Sequence, residues 1–172
     1  PCECWSFWHI IKRGKVAVMS KSLLIIAHAP SANTAALARA ALRGATHPDA
    51  GQVTAKLASP FEVTSDDLSA HDGIIIGTME NIGYMAGATK DLFDRCYDDW
   101  MDRHEGLPVG LYIRAGRDGT ATRRALESIM DALRWRLVAA PLILHGDWQD
   151  RYCDDVAELS MGMAAGMDAG IF

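Results

Sequence analysis

The stretch that most constrains the fold is residues 22–44, where an apolar run is followed by a polar turn and an alanine-rich segment. The apolar run, from Leu23 to Ala27, is short enough to be a strand buried on both faces. It breaks at Pro30, and the alanines that follow have helical spacing up to about Gly44. We therefore predict a strand, a turn and a helix in succession, which is the building unit of an α/β protein.

The turn in this stretch places polar side chains at a predicted helix N-terminus. Ser31, Asn33 and Thr34 can donate hydrogen bonds, and the free backbone N–H groups of a first helical turn attract an anion. A phosphate group would fit there. The same residue types cap helices that bind nothing, so both interpretations stay open at this point.

Length and charge exclude several classes of protein. A chain of 172 residues most simply forms one domain with its own core. Its net charge of -5 argues against general nucleic-acid binding, and no apolar run approaches the roughly 20 residues of a membrane span. The four cysteines have neither a disulfide pattern nor zinc-site spacing. We expect a cytoplasmic protein with no metal site, no nucleic-acid partner and no membrane partner.

The N-terminal residues differ in character from the rest. They combine Cys2, Cys4, Trp5 and Trp8 with a basic patch, but they lack a hydrophobic core of signal-peptide length, and Met19 directly precedes the first strand. Two cysteines alone do not make a closed metal site. We interpret residues 1–18 as a non-native or disordered extension and residues 19–172 as the folded domain.

Four more strands are predicted, alternating with helices. The strands are an alternating edge strand at 52–58, a central strand at 74–77, a third buried strand at 108–114 and a last strand at 137–144 with Pro141 at the sheet edge. The helices are at 65–69, 88–100, 121–135 and 154–167. Five alternating strands predict a three-layer doubly wound parallel sheet with strand order 2-1-3-4-5.

Helical spacing also predicts which side chains face the core. The inward stripes are Ala88, Leu92, Phe93, Cys96, Tyr97 and Trp100 on one helix, Ala125, Ile129 and Leu133 on the next, and Val156, Leu159, Met163 and Met167 on the last. In a sheet of this order a ligand binds at the carboxyl ends of strands one and three. Two further loops are predicted at residues 78–87 and 115–120, and residues 31–34, 78–84 and 115–119 should therefore meet round one crevice.

Three segments of the chain resemble the flavodoxin-like FMN proteins and, within them, the NAD(P)H-dependent FMN or quinone reductases. The segments are A-P-S-A-N-T, then D-G-I-I-I-G-T-M-E-N-I-G-Y-M-A-G-A-T-K-D-L-F-D-R, and R-A-G-R-D-G, and the resemblance runs from about residue 22 to 172. It implies that the first loop holds the FMN phosphate and that the other two line the isoalloxazine ring. Met79 and Arg117 depart from the family pattern, which has proline and small residues there in many relatives. The cofactor-binding residues that it implies are Ser31, Ala32, Asn33, Thr34, Thr78, Met79, Glu80, Asn81, Ile82, Gly83, Ala115, Gly116, Arg117, Asp118 and Gly119.

The resemblance implies an FMN oxidoreductase that passes hydride from NAD(P)H through the flavin to a quinone or a similar small acceptor. A cation at Arg114 or Arg117 would stabilise the reduced, anionic flavin and favour this two-electron chemistry. The alternative functions are a flavodoxin-type electron carrier or a non-catalytic flavin-binding module. The alternative for Arg117 is a side chain that faces solvent or pairs with Asp118, away from the flavin.

Few side chains are candidates for a direct part in the reaction. Tyr84 and Arg117 are the candidate catalytic residues, Tyr84 because it could cover an acceptor, and His28 could hydrogen-bond a ligand. Reductases of this kind often form a homodimer or homotetramer. The aromatic residues that could form such a contact are Tyr97, Trp100, Trp148 and Tyr152, which could equally belong to the core or to its rim.

Overall fold

The computed structural model describes residues 20–172, so the prediction for residues 1–18, with Cys2 and Cys4, lies outside the described part. The strands are β1 (Lys21–Ala27), β2 (Val53–Ala58), β3 (Gly73–Asn81), β4 (Tyr84–Met85), β5 (Pro108–Ala115), β6 (Arg136–Leu137) and β7 (Leu142–His145). The helices are α1 (Ala32–Ala45), α2 (Ser65–Ser69), α3 (Gly87–Trp100), α4 (Thr120–Ala132) and α5 (Arg151–Asp168), with a 3₁₀ turn at Pro48–Ala50.

The sheet has the predicted doubly wound parallel arrangement. Its strand order is β2-β1-β3-β5, and both β6 and β7 pair with β5 in parallel. If β4 is left out and β6 and β7 are counted as one broken strand, the sheet has five strands in the predicted order 2-1-3-4-5. The two-residue strand β4 is antiparallel to β3 and lies off the main path.

Two hydrophobic clusters, one on each face of the sheet, make the core. Helices α1 and α5 cover one face, and α2, α3 and α4 cover the other. The consecutive isoleucines Ile74, Ile75 and Ile76 of β3 are at most 1% exposed because layers of helices bury both faces of the sheet. Cys96 of α3 is buried as predicted. No helix within residues 20–172 is both long and apolar enough to cross a bilayer.

The loop predicted at residues 78–87 is wrong in part, because β3 continues through Thr78 to Asn81 and turns back into β4. Ile82 and Gly83 form the turn with left-handed φ values of 53° and 75°. Two consecutive residues with positive φ return a strand on itself as a tight hairpin. The chain after Gly77 is therefore a projecting β-hairpin rather than a loop.

The single last strand predicted at residues 137–144 is also wrong, because the structure breaks it into β6 and β7. The break, at residues 138–141, contains Pro141, which has no N–H to donate to a neighbouring strand. Its predicted position at the sheet edge is confirmed, because β6 and β7 pair with β5 alone.

The stripe predicted for α4 is confirmed at Leu133, which is 1% exposed, and is displaced by one position at Ala125 and Ile129. Thr122, Leu126 and Met130 are completely buried, whereas Ala125 and Ile129 are half-buried at the side of the stripe. Helix α4 also ends at Ala132, three residues before the predicted end. A buried stripe is wide enough to take in flanking positions, so apolar residues alone do not identify its centre.

The four aromatic residues proposed as one contact surface lie on opposite faces of the sheet. Tyr97 and Trp100 pack with α3 and α4, whereas Trp148 and Tyr152 pack with α1 and α5. Trp100 and Tyr152 are also buried, at 1% and 4% exposed. Trp100 and Tyr152 therefore belong to the core, and the half-buried Tyr97 and Trp148 pack at its rim.

Candidate functional site

The N-terminus of α1 is closed by a reciprocal cap between Ser31 and Thr34. The Ser31 hydroxyl accepts the Thr34 backbone N–H at 3.3 Å, and the Thr34 hydroxyl accepts the Ser31 N–H at 3.0 Å. Thr34 is only 5% exposed, and its hydroxyl also bonds the Ser31 carbonyl oxygen at 3.0 Å. The Thr34 side chain therefore serves the cap.

Two backbone donors at the start of α1 remain free. Within residues 20–172 no acceptor bonds the N–H of Ala32 or Asn33. Both residues and Ser31 are exposed, and the first turn contains no acidic side chain. The positive end of a 14-residue helix thus faces solvent with unpaired N–H groups, which is the arrangement that attracts an anion.

The hairpin after β3 is the second part of the site. Thr78 at its base is 2% exposed, and its hydroxyl lies 2.8 Å from that of Thr89 in α3, so this side chain anchors the hairpin. At the tip, Ile82 is fully exposed and Tyr84 is 42% exposed. Tyr84, the candidate to cover an acceptor, therefore lies at an open surface.

The third part is the loop between β5 and α4, and a hydrogen bond joins it to the hairpin. The Arg117 backbone N–H donates to the Glu80 carboxylate at 2.8 Å. The Asp118 carboxylate accepts the Thr120 N–H at 3.0 Å, and this bond holds the pKa of Asp118 below its usual value. Within residues 20–172 the Arg117 side chain forms no ion pair, with Asp118 or any other residue, and faces solvent.

Arg114 at the carboxyl end of β5 is held by neutral groups. Its guanidinium donates to the carbonyl oxygens of Leu144 at 2.9 Å and Gly146 at 2.6 Å, and to that of Ala115. Its central carbon lies 5.7 Å from the centre of the Tyr152 ring. No carboxylate in the described chain pairs with Arg114, so its positive charge is not compensated by an ion pair.

His28 lies on the other side of the first loop, towards β2. Its ring meets the exposed Phe61 ring edge to face, with centroids 6.1 Å apart, in a cleft of about 440 Å³. Burial lowers the pKa of His28 below its usual value, so the imidazole is neutral at pH 7.

The three predicted segments meet at one edge of the sheet, beyond the carboxyl ends of β1, β3 and β5. The His28 N–H bonds the Gly77 carbonyl oxygen at 3.0 Å, and the Glu80 bond to Arg117 spans the other side. Sequence reasoning missed this bridge, and it missed Tyr112, whose buried ring lies against Gly77. Neither contact has a signal in the sequence, because each joins residues 35 or more positions apart.

Comparison with known proteins gives a fold. The sequence matches no protein-family model, and no curated protein is significantly similar to it. Among solved structures, a flavodoxin from the domain Archaea is 16% identical with a TM-score of 0.70, covering 83% of this chain and 96% of that one. The two-electron reduced flavodoxin of Megasphaera elsdenii is 15% identical with a TM-score of 0.65, covering 81% and 98%.

A third similar structure is the WrbA-like flavodoxin protein from Agrobacterium tumefaciens. It is 16% identical with a TM-score of 0.67, and the match covers 88% of this chain and 99% of that one. These matches extend over nearly the whole length of each solved chain and agree with the strand order described above. The chain therefore has the flavodoxin-like fold.

Proposed function

We propose that the protein binds FMN at the carboxyl edge of the sheet and passes hydride from NAD(P)H through the flavin to a quinone or a similar small acceptor. The observation that carries the proposal is the pair of free N–H groups on Ala32 and Asn33, which begin α1 at the same edge of the sheet as the hairpin and the third loop.

The residues at this edge fit such a cofactor. A phosphate would accept from the N–H groups of Ala32 and Asn33, with Ser31 and the Asn33 amide beside it. The ring would lie between the hairpin, residues 78–83, and the loop at 115–119. Bound FMN would supply the ability to accept and release a hydride, which no side chain here provides.

The charges near the third loop support two-electron chemistry. Arg114 is fixed by carbonyl oxygens without an acidic partner, and Arg117 is free of ion pairs in the described chain. Positive charge beside the pyrimidine edge would stabilise the anionic reduced flavin. Ile82 and Tyr84 leave an exposed apolar border where an acceptor or a second copy of the chain could pack. We propose a homodimer or homotetramer on this basis.

A flavodoxin-type carrier is the second candidate, and Glu80 favours it. Its carboxylate bonds the backbone of the same loop, so a negative charge stands beside the place where the ring would lie. Negative charge disfavours the reduced anion and suits a low-potential carrier. The two candidates therefore differ in which charge acts more strongly on the ring.

Titration with FMN tests the binding step. We expect Asn33→Asp to weaken FMN binding by about tenfold or more, because it puts a negative charge beside the phosphate. The matched control is Gln52→Glu, the same change of amide to carboxylate just before β2 at the amino end of the sheet, which should leave binding unchanged. Quenching of flavin fluorescence gives both dissociation constants, and a wild-type protein that does not bind FMN would contradict the proposal.

Steady-state assays then separate the two candidates. The FMN-loaded protein should oxidise NADH or NADPH when a quinone is present. If it binds FMN but oxidises neither nucleotide, the carrier is supported instead.

A further inference from the structure

The phenol ring of Tyr112 in β5 lies across Gly77 of β3. A Cβ atom at position 77 would come within 2.1 Å of both the hydroxyl oxygen and the ring carbon Cζ, so only glycine leaves room for this ring. Gly77 pairs with Tyr112 on one side and with Ala27, the last residue of β1, on the other. The ring also belongs to the cluster beneath α1 and α5. The phenol therefore lies on the α1 side of the sheet, at the level where β1 ends and the turn to α1 begins.

The Tyr112 hydroxyl has no partner in the protein. The residue is 3% exposed, yet within residues 20–172 no group forms a hydrogen bond with the hydroxyl. The unpaired side-chain atoms that are fully enclosed are on Thr122, Arg123 and Trp135, and the Tyr112 oxygen is not among them. This oxygen therefore borders space that solvent can reach.

Packing alone does not explain why residue 112 carries a hydroxyl group. A phenylalanine would fill the same place over Gly77, and it would not leave a hydroxyl without a partner in an apolar cluster, which costs free energy. A ligand that enters the accessible space would give the hydroxyl its missing acceptor. The N–H groups of Ala32 and Asn33, which are free donors at the same edge of the sheet, favour an anion there.

We propose that the Tyr112 hydroxyl donates a hydrogen bond to the anion held at the start of α1, and so makes the site prefer phosphorylated over unphosphorylated flavin. This inference rests on the proposed FMN site. Burial raises the pKa of Tyr112 well above its usual value, so the hydroxyl keeps its proton at neutral pH and acts as a donor towards an anion.

The test compares FMN with riboflavin, which differs from it by the phosphate alone. Tyr112→Phe should raise the dissociation constant for FMN by about tenfold, because a hydrogen bond to a charged group is among the strong ones, and should change that for riboflavin less than about twofold. The matched control is Tyr97→Phe, which removes a hydroxyl on the opposite face of the sheet and should change neither constant. Quenching of flavin fluorescence measures the dissociation constants of each variant for FMN and for riboflavin.

Ligand-free unfolding gives a second measurement. Because the hydroxyl has no partner in the described chain, Tyr112→Phe should unfold at the same temperature as wild type or a higher one. A large loss of stability, or an equal loss of affinity for FMN and riboflavin, would overturn the inference. Failure of the wild-type protein to bind FMN would instead contradict the proposed function itself.

Discussion

Arg117 and Glu80 bring opposite charges to the same short loop. The Arg117 backbone is bonded to the Glu80 carboxylate, but its guanidinium extends into solvent. Solvent weakens the effect of such a charge without abolishing it at short range. The balance of these two side chains should therefore set the redox potential of a bound flavin.

We expect Arg117→Ala to lower the two-electron midpoint potential of bound FMN by about 20–30 mV, because it removes a cation that stabilises the reduced anion. Equilibration with reference dyes measures the potential. The control is Arg103→Ala, which removes an exposed arginine just after the C-terminal end of α3 and should leave the potential unchanged. An unchanged potential in Arg117→Ala would remove the electrostatic support for hydride transfer.

At the level of single residues, the sequence predicted which residues stand at the start of α1 better than it predicted what their side chains bond. Ser31, Asn33 and Thr34 were predicted to bind a phosphate, and they do begin α1. In the structure the Thr34 hydroxyl is bonded to the Ser31 backbone as part of the helix cap, and the N–H groups of Ala32 and Asn33 are free. A capping residue and a ligand-binding residue have the same local sequence, so only the coordinates separate the two roles.

Among the elements, the short helix α2 depends on one carboxylate. Asp67 accepts the Thr64 backbone N–H at 2.9 Å and the Thr64 hydroxyl at 2.9 Å, and Lys56 lies 3.3 Å away. The Thr64 N–H bond is the main cause that holds the pKa of Asp67 below its usual value. The carboxylate is thus more stable in the folded chain than in the unfolded one.

We expect Asp67→Asn to cost about 1 kcal/mol at pH 7. Because folding lowers the pKa of Asp67, its contribution is complete above the unfolded pKa of about 4 and is lost as the pH falls through the folded pKa. The difference between wild type and variant should therefore shrink below pH 4. Urea unfolding across this range measures it, and the control Asp66→Asn should show a smaller difference. A difference that is constant with pH would contradict this account.

The two elements that the sequence misjudged both depend on backbone geometry. The hairpin needs Ile82 at a positive φ, which β-branched residues rarely adopt, so its sequence did not indicate a tight turn. The last strand reads as one apolar run, and its division follows from where Pro141 falls against β5. Apolar patterns predicted the order of the main strands and helices, and they carry no information on such turns.

On the scale of the whole molecule, the layer formed by α1 and α5 depends on a close approach at Gly44. A Cβ at this position would lie 2.0 Å from the Ala157 carbonyl oxygen of α5, which is a backbone atom that cannot move alone. These helices cover β1, β3 and β5 on one face. Their spacing therefore affects the entire core beneath them.

We expect Gly44→Ala to lower the free energy of unfolding by about 2–3 kcal/mol, since the helices must separate to admit the methyl group. The control is Gly162→Ala in α5, where the added methyl meets no atom of the described chain within 4 Å. That change should raise stability by up to about 1 kcal/mol through helix propensity. Thermal and urea unfolding measure both, and a neutral Gly44→Ala would show that α1 and α5 adjust freely.

The broken final strand affects how copies of this protein meet at high concentration. An unbroken, flat outer strand exposes a row of unpaired amides on which another chain can extend the ladder into a fibril. Here that margin has a strand of only two residues, then a non-strand segment that contains Pro141, then a strand of four residues, and the strand at the opposite margin, β2, carries Lys56. Neither border offers a long template, so the folded form should resist ordered aggregation.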